Sequence, residues 1–319
     1  MITLAPASLL ARLLPVHLLL ASLSPLPAIA GEGSPTAAYS ANAPCNSQLS
    51  ILLSNDDGFD TPGIIALQQA LSQAKHRVML AAPATNASGS SASVTFAPVA
   101  VKRTASQTYA INASPATAVV LAVSALYPPA SPPDLVISGI NKGANLGPAT
   151  GISGTVGATT AAIQIIDPPI PAIAISTDPL GANFSQEKNL EHLQNIAIFI
   201  VNLVDRLAQE RCKSGALLPQ GLALNINYPA LEAHKIKGIK ITEQGQTPYF
   251  TISYAPSKND DAVFLPVFKA RPIGADIAQS DTSAYHQGYI TVVPLDGNYT
   301  DKSATTKALL TPLMLNVKP

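Results

Sequence analysis

Charged residues are scarce in this chain of 319 residues, and neither sign predominates. They make up 12% of the sequence, and 19 basic residues balance 19 acidic ones, so the formal net charge is 0. No basic run occurs, which argues against a nucleic-acid duplex as a partner. Hydrophobic residues make up 47% of the chain, which is ample for one large domain or two smaller ones.

Several common catalytic motifs are also missing. The chain contains neither G-x-x-x-x-G-K-[ST] nor G-x-G-x-x-G, so it lacks the phosphate loop of P-loop proteins and the dinucleotide fingerprint. It contains no G-x-S-x-G, which argues against a serine hydrolase. The two cysteines, Cys45 and Cys212, and five histidines without ligand spacing do not favour a zinc site. A disulfide between the cysteines and two unpaired thiols both remain open.

The first 30 residues are typical of a secretory signal peptide. Apolar residues 9–10 and 13–23 lead to Ala28-Ile29-Ala30, which predicts cleavage after Ala30. Residues 31–46, rich in Ser, Pro, Ala and Gly, read as a linker. No later apolar run reaches the length of a membrane span. We therefore expect a periplasmic or secreted protein with no membrane partner after cleavage.

A pair of adjacent carboxylates follows the first predicted strand. Residues 51–53 are apolar and bounded by polar residues, as in a buried strand of a parallel sheet. Asp56 and Asp57 come next, and Gly58 permits a sharp turn. Two neighbouring carboxylates repel each other unless a cation neutralises them, and Mg²⁺ or Mn²⁺ prefers such oxygen ligands. The alternative is ordinary turn chemistry, with one aspartate capping the next helix.

The remaining pattern predicts an α/β fold, with a Rossmann-like, mostly parallel sheet flanked by helices. Strand-like and helical segments alternate over residues 47–235, which we take as the core, beginning with a helix capped at Thr61. Residues 236–319 are β-rich, and a hairpin tip is expected at residues 258–261. This C-terminal part is expected to complete the same domain and to carry a β-hairpin arm.

Loops of small polar residues follow the other predicted strands. Residues 84–93 read either as a flexible surface loop or as a loop whose hydroxyl and N–H groups line an anion or metal site. Residues 138–147 and 151–155 precede a helix of small residues. A Gly-rich loop at a helix N-terminus offers free N–H groups to an anion, although such loops often only turn the chain.

Four sequence blocks together resemble the SurE (survival protein E) family of metal-dependent 5′/3′-nucleotidases. They are ILLSNDDG (51–58) with Pro62-Gly63, APATNASG (82–89), SGINKGANLG (138–147) and SGTV (153–156). With weaker matches further on, the resemblance covers about residues 49–295. It implies a divalent-metal-dependent phosphomonoesterase that hydrolyses nucleoside 5′/3′-monophosphates, a 5′-nucleotidase or broad acid phosphatase that uses a metal-activated water. The leader predicts that this one is exported, which is unusual for a family often found in the cytoplasm.

The resemblance also implies specific roles for residues in these blocks. One Mn²⁺ or Mg²⁺ ion would be bound by Asp56, Asp57, Ser88 and Asn141. Asn145, Ser153, Gly154 and Thr155 would hold the substrate phosphate. Asp56 or Asp57 would orient or deprotonate the attacking water. Such an all-oxygen set leaves coordination positions for water and a phosphate oxygen.

The resemblance leaves some properties open. Thr117 stands where many members have an acidic residue, and Ile152 replaces a common aromatic residue, so the preferred nucleotide is in doubt. Family members commonly form dimers or tetramers through an exchanged C-terminal hairpin, which implies a homo-oligomer. The alternatives to an enzyme are a catalytically idle phosphate- or nucleotide-binding module and a purely structural exported protein.

Overall fold

The computed structural model describes residues 47–260, 262–272, 274–301 and 303–315. The predicted signal peptide with its cleavage after Ala30, the linker at 31–46 and Cys45 lie outside these residues. Export therefore stays a prediction, and a disulfide between Cys45 and Cys212 stays one of the two alternatives.

The described chain alternates strands and helices through its first two thirds and is richer in strands thereafter. The strands are β1 (Ser50–Ser54), β2 (Arg77–Pro83), β3 (Val101–Ala105), β4 (Thr108–Ile111), β5 (Leu135–Lys142), β6 (Ala172–Thr177), β7 (Ala223–Asn227), β8 (Ile239–Ile241), β9 (Phe250–Pro256), β10 (Phe264–Ala270) and β11 (Ile290–Leu295). The helices are α1 (Pro62–Gln73), α2 (Pro115–Leu121), α3 (Gly154–Gln164), α4 (Gln186–Ser214), α5 (Asp281–His286) and α6 (Ala304–Leu315).

Nine strands form the central sheet, in the order β3-β4-β2-β1-β5-β6-β7-β11-β8. The pairs from β4 through β2, β1, β5 and β6 to β7 are parallel, and β3 and β11 run antiparallel to their neighbours β4 and β7. The predicted fold class, a mostly parallel sheet flanked by helices, is confirmed.

Both faces of the sheet are buried, which explains why β1 reads as a continuous apolar run. All five residues of β1 are buried. Successive side chains point to opposite faces, so Leu53 packs in the core that includes residues of α1 and α4, whereas Leu52 packs in the core that includes residues of α2 and α3. The predicted start of α1 is also confirmed, because Thr61 is its N-cap and Pro62 its first residue.

The C-terminal third contributes to the central sheet and also forms a separate hairpin. β8 and β11 lie in the central sheet, while β9 and β10 pair antiparallel as a two-stranded hairpin. The predicted tip at 258–261 falls between these strands, although Asp261 is outside the described residues. The proposed division at residue 235 stays a prediction. Within the described part of the chain, no helix has both the length and the apolar run needed to cross a bilayer.

Candidate active site

Asp56 and Asp57 lie at the carboxyl end of β1, where open α/β sheets place their ligands. Asn55 fixes the turn that presents them. Its Nδ2 donates to the Gly58 carbonyl oxygen at 2.7 Å and to Thr61 Oγ1 at 3.0 Å, and its Oδ1 accepts from Gly58 N at 3.2 Å. Gly58 has a φ of 124°, a conformation that few residues other than glycine adopt. The turn therefore needs both Asn55 and Gly58.

Asp56 is held by the N-terminus of α3. Its Oδ1 accepts from the Thr155 hydroxyl at 2.6 Å, and its Oδ2 accepts from Thr155 N at 3.2 Å. The helix dipole favours a negative charge at this position. Burial raises the pKa of Asp56, while the hydrogen bonds from Thr155 and Gly154 lower it. The carboxylate is thus fixed in orientation and only 2% exposed.

Asp57 points toward β5. Its Oδ2 accepts from Lys142 N at 2.9 Å. Burial raises the pKa of Asp57, the Lys142 N–H lowers it, and the charge of Asp56 raises it further. Among the described residues, no group bonds to Asp57 Oδ1. One carboxylate oxygen therefore remains for a cation or a water.

Asn141 is the penultimate residue of β5, next to Lys142, whose N–H binds Asp57. Its Nδ2 donates to the Gly143 carbonyl oxygen at 2.7 Å. The pairing of β5 with β6 is irregular between Ser138 and Asn141. Because the amide nitrogen is occupied, the Oδ1 atom is the one left to bind a ligand.

The loop after β2 closes over Asp56. Ala87 N donates to the Asp56 carbonyl oxygen at 2.7 Å, and Ser88, the next residue, is exposed. Ser91 ties the same loop to the Gly-rich turn before α3, since its Oγ donates to the Gly151 carbonyl oxygen at 2.8 Å. These bonds favour the site-lining interpretation of residues 84–93 over that of a flexible surface loop.

Ser90 is a site residue that the sequence did not single out. Its Oγ is buried and has no partner among the described residues. A Cβ atom placed on Gly154 would lie 2.6 Å from this Oγ and 2.9 Å from Asp56 Oδ2, so both groups border the same small space. Only its place in a loop of small hydroxyl residues could have pointed to Ser90.

Of the residues predicted to bind phosphate, Gly154 and Thr155 adjoin Asp56, and several polar groups of the predicted set are already engaged. Both donors of Thr155 bind Asp56, and Ser153 Oγ caps α3 by accepting from Val156 N at 3.1 Å. Asn145 is buried, and its Nδ2 donates to Ser176 Oγ at 2.8 Å. The predicted phosphate-binding role of these residues therefore stays a prediction, while positioning Asp56 is a role that the sequence did not reveal.

Two asparagines of β7 hold the loop that carries Asn145. Asn227 Oδ1 accepts from Asn145 N at 2.7 Å, and the side-chain amides of Asn225 and Asn227 donate to the Asn145 carbonyl oxygen at 2.9 and 3.1 Å. This strand lies outside the four sequence blocks, and the sequence analysis assigned it no role.

The C-terminal part of the chain holds the same loop from its other end. Asp281 is fully buried and accepts from Gly147 N, Gly245 N and Thr282 N at 2.7–3.2 Å. Burial raises the pKa of Asp281, while these N–H groups lower it. We call Asp281, Gly147 and Gly245 the Asp281 network. It was missed because its members are far apart in sequence.

The two departures from the family pattern have different surroundings. Thr117 is buried, and its Oγ1 accepts from Thr95 N at 2.9 Å and bonds to Ser114 Oγ. Ile152 is 46% exposed. Thr117 thus belongs to the N-terminal cap of α2, and its influence on substrate preference stays a prediction.

The donor set around the two aspartates fits a hard divalent cation. Carboxylate, hydroxyl and amide oxygens are the ligands that Mg²⁺ and Mn²⁺ prefer. The described residues contain no group of three or more His, Cys, Asp or Glu side chains suited to a metal. That absence is compatible with a site that has only two carboxylates and takes its other ligands from Ser and Asn.

Comparison with known proteins identifies the family. The model of the family described as survival protein SurE matches residues 51–251. The chain is 32% identical to 5′-nucleotidase SurE 1 of Burkholderia lata over 259 residues, which cover 81% of this chain and 94% of that protein. It is 34% identical to 5′-nucleotidase SurE of Ehrlichia ruminantium (strain Gardel) over 262 residues, covering 80% and 97%. The crystal structure of SurE protein from Aquifex aeolicus matches with a TM-score of 0.64 and 31% identity, over 84% of this chain and 99% of that one. The resemblance seen in the four sequence blocks is therefore confirmed, and the chain belongs to the SurE family.

Proposed function

We propose that this protein is a phosphomonoesterase that hydrolyses nucleoside 5′- or 3′-monophosphates with the help of one divalent cation. The observation that carries the proposal is the pair Asp56 and Asp57 at the end of β1, each fixed by a different neighbouring element. The names of the relatives, 5′-nucleotidase SurE, support the same activity.

Asp56, Asp57, Ser88 and Asn141 would hold the cation, which is Mn²⁺ or Mg²⁺. When bound, it would lower the pKa of a water and offset the charge of the substrate phosphate. The side chains of the protein would orient the attacking water. Thr155 uses both oxygens of Asp56, so Asp57, with its unbonded Oδ1, is better suited to orient the attacking water. The dipole of α3, whose N-terminus adjoins Asp56, favours negative charge on the phosphoryl oxygens.

Phosphate release from a panel of nucleoside monophosphates tests this proposal. The chain from Gly31 onward is assayed with Mn²⁺, with Mg²⁺ and with a chelator. Asp57→Asn should lower kcat/KM at least ~100-fold, equivalent to about 2.7 kcal/mol of transition-state stabilisation. Asp60→Asn is the matched control, because Asp60 is an exposed carboxylate in the same turn.

The alternative functions make different predictions in the same assay. No phosphate release by the wild type, together with Mn²⁺ binding in a calorimetric titration, would contradict the enzyme and support a binding module. A wild type that neither releases phosphate nor binds Mn²⁺ would support a purely structural protein.

We further propose that the protein is exported and forms a homodimer or homotetramer. The hairpin of β9 and β10 supports self-association, because it exposes large apolar side chains that include Tyr254 (68%), Phe264 (58%) and Phe268 (65%). Phe264→Asp should lower the mass measured by light scattering, whereas Thr251→Asp, at an exposed polar position of the same hairpin, should not. An unchanged mass in Phe264→Asp would contradict assembly through the hairpin. N-terminal sequencing of the protein recovered outside the cytoplasm tests cleavage after Ala30.

A further inference from the structure

Asp178 follows β6 directly and lines a cavity of about 610 Å³ that Asp57 and Asn141 also line. It lies outside the four sequence blocks, and the proposed metal site does not use it. We propose that Asp178 is a positioning residue that, together with Tyr285, fixes the orientation of the Asn141 side-chain amide. The inference rests on the proposed function and adds the residues that hold one of its metal ligands in place.

The amide of Asn141 can serve a cation in only one of its two orientations. An amide oxygen binds a cation, whereas an amide nitrogen, which carries two hydrogens, does not. The hydrogen bond from Nδ2 to the Gly143 carbonyl oxygen, at 2.7 Å, selects the orientation that leaves Oδ1 for the cation. The position of this carbonyl oxygen therefore decides whether Asn141 is ready to bind a metal.

The Gly143 carbonyl is directed by a hydrogen bond on the other side of the same peptide. The peptide bond between Gly143 and Ala144 is trans and planar, so its C=O and N–H point in opposite directions. Ala144 N donates to Asp178 Oδ1 at 2.9 Å. The Asp178 carboxylate, this peptide and the Asn141 amide thus form one chain of hydrogen bonds, in which each bond polarises the next.

The backbone at Gly143 makes this support necessary. Its φ is 130°, and glycine has no side chain to restrict how the following peptide turns. Gly143 N donates to the Thr177 carbonyl oxygen at 2.7 Å. The Tyr249 hydroxyl donates to the Ala144 carbonyl oxygen at 2.5 Å. These two bonds hold the peptides on either side, and Asp178 holds the N–H of the peptide between them.

Tyr285 fixes the Asp178 carboxylate in turn. The Tyr285 hydroxyl donates to Asp178 Oδ2 at 2.9 Å and accepts from Asp178 N at 3.3 Å. Tyr285 lies on α5 and is only 6% exposed, so its ring is held by the surrounding packing. Because one hydroxyl binds both the backbone and the side chain of Asp178, the carboxylate keeps one orientation, with Oδ1 toward Ala144.

A direct role for Asp178 as a ligand of the cation would depend on its negative charge, whereas positioning depends only on a hydrogen-bond acceptor. Asparagine carries no charge, but its side-chain oxygen can accept from Ala144 N and its N–H can donate to the Tyr285 oxygen. Alanine removes the acceptor altogether. Substitution of Asp178 by asparagine and by alanine therefore separates the two roles.

Calorimetric titration of the purified protein with Mn²⁺, in the absence of substrate, tests the proposal. Asp178→Ala should raise the Kd about 10–100-fold, the usual effect of losing a group that orients a metal ligand. Asp178→Asn should stay close to the wild-type Kd. Tyr285→Phe should also raise the Kd, by a smaller factor. Tyr228→Phe is its matched control and should leave the Kd unchanged, because Tyr228 is also buried but its hydroxyl bonds to no group among the described residues.

Amide hydrogen exchange, measured by NMR on the metal-free protein, gives a second readout. The Ala144 N–H should exchange at least ~10-fold faster in Asp178→Ala than in the wild type or in Asp178→Asn. The Val136 N–H, which lies in β5 and is bonded to the Pro171 carbonyl oxygen, should exchange equally in all three proteins. Equal exchange at Val136 shows that the sheet is intact in the variants.

Three results would each overturn the proposal. They are a wild-type Kd in Asp178→Ala, an equal rise in Kd for Asp178→Asn and Asp178→Ala, and unchanged exchange of the Ala144 N–H in Asp178→Ala. The second result would mean that the cation requires the charge of Asp178. If the wild type binds no Mn²⁺, the proposed function fails, and the exchange of the Ala144 N–H still decides whether Asp178 holds this peptide.

Discussion

Gly154→Ala provides a direct test of whether the precise position of Asp56 matters for activity. In the native structure the added Cβ would lie 2.6 Å from Ser90 Oγ, 2.8 Å from Asp56 Cβ and 2.9 Å from Asp56 Oδ2. Ordinary contacts between such atoms are about 3.5–4 Å. Asp56, Ser90 or the start of α3, which holds Asp56, must therefore shift, and a misplacement of the carboxylate by ~1 Å costs about 10²-fold in rate. This corresponds to about 2.7 kcal/mol.

The assay is metal-dependent phosphate release from a nucleoside monophosphate at saturating substrate, with thermal unfolding measured in parallel. Overpacking of this kind costs about 1–3 kcal/mol of folding free energy, so the variant should fold with a lowered Tm. Gly151→Ala is the control, because a Cβ there meets no atom within 4 Å. If a folded Gly154→Ala keeps a kcat within about threefold of Gly151→Ala, the argument that Asp56 needs this exact position is refuted.

Two further perturbations test other parts of the site. Thr155→Val should lower kcat, and Thr155→Ser should keep most of the wild-type value. The reason is that the bond from the hydroxyl to the Asp56 carboxylate contributes about 1.5–3 kcal/mol. Equal activity of the two variants would contradict this role of the hydroxyl. Burial lowers the pKa of His192, so the folded chain binds fewer protons than the unfolded chain below pH ~6.5, and stability should fall as pH falls from there toward the lowered pKa. In His192→Gln, Tm should depend less on pH over this range. Curves of Tm against pH that run parallel for variant and wild type would refute the assignment of this dependence to His192.

The parts of the fold and site that could be predicted from the sequence depend on local patterns. The apolar run of β1 and the Asn-Asp-Asp-Gly turn are contiguous, and each physical requirement is met within a few residues. Asn55, for example, bonds to Gly58 and Thr61. The parallel arrangement followed from alternating strands and helices, since such connections place successive strands side by side.

The role of Thr155 shows where local patterns give an incomplete answer. A Gly-rich turn at a helix N-terminus indicates that N–H groups are available to an anion. The pattern does not say whether that anion is a ligand or a carboxylate of the protein itself. In the structure Asp56, which is 99 residues away in sequence, takes both donors of Thr155. The pattern correctly indicated an anion at the helix, but the sequence left its identity open.

The Asp281 network could not have been predicted at all, because its contacts depend on the return of the chain after β10. Asp281 bonds to Gly147 across 134 residues, and its sequence context, Ser-Asp-Thr before a short helix, is that of an ordinary N-terminal cap. Yet a buried carboxylate is tolerated only when several donors surround it. The N–H groups of Gly147 and Gly245 meet that need, and in doing so they join the loop of Asn145 to the segment that leads into the β9–β10 hairpin. The chain therefore connects the loop of Asn145 and the segment that precedes its exposed hairpin through one buried carboxylate, a link between parts of the chain that no local sequence pattern could reveal.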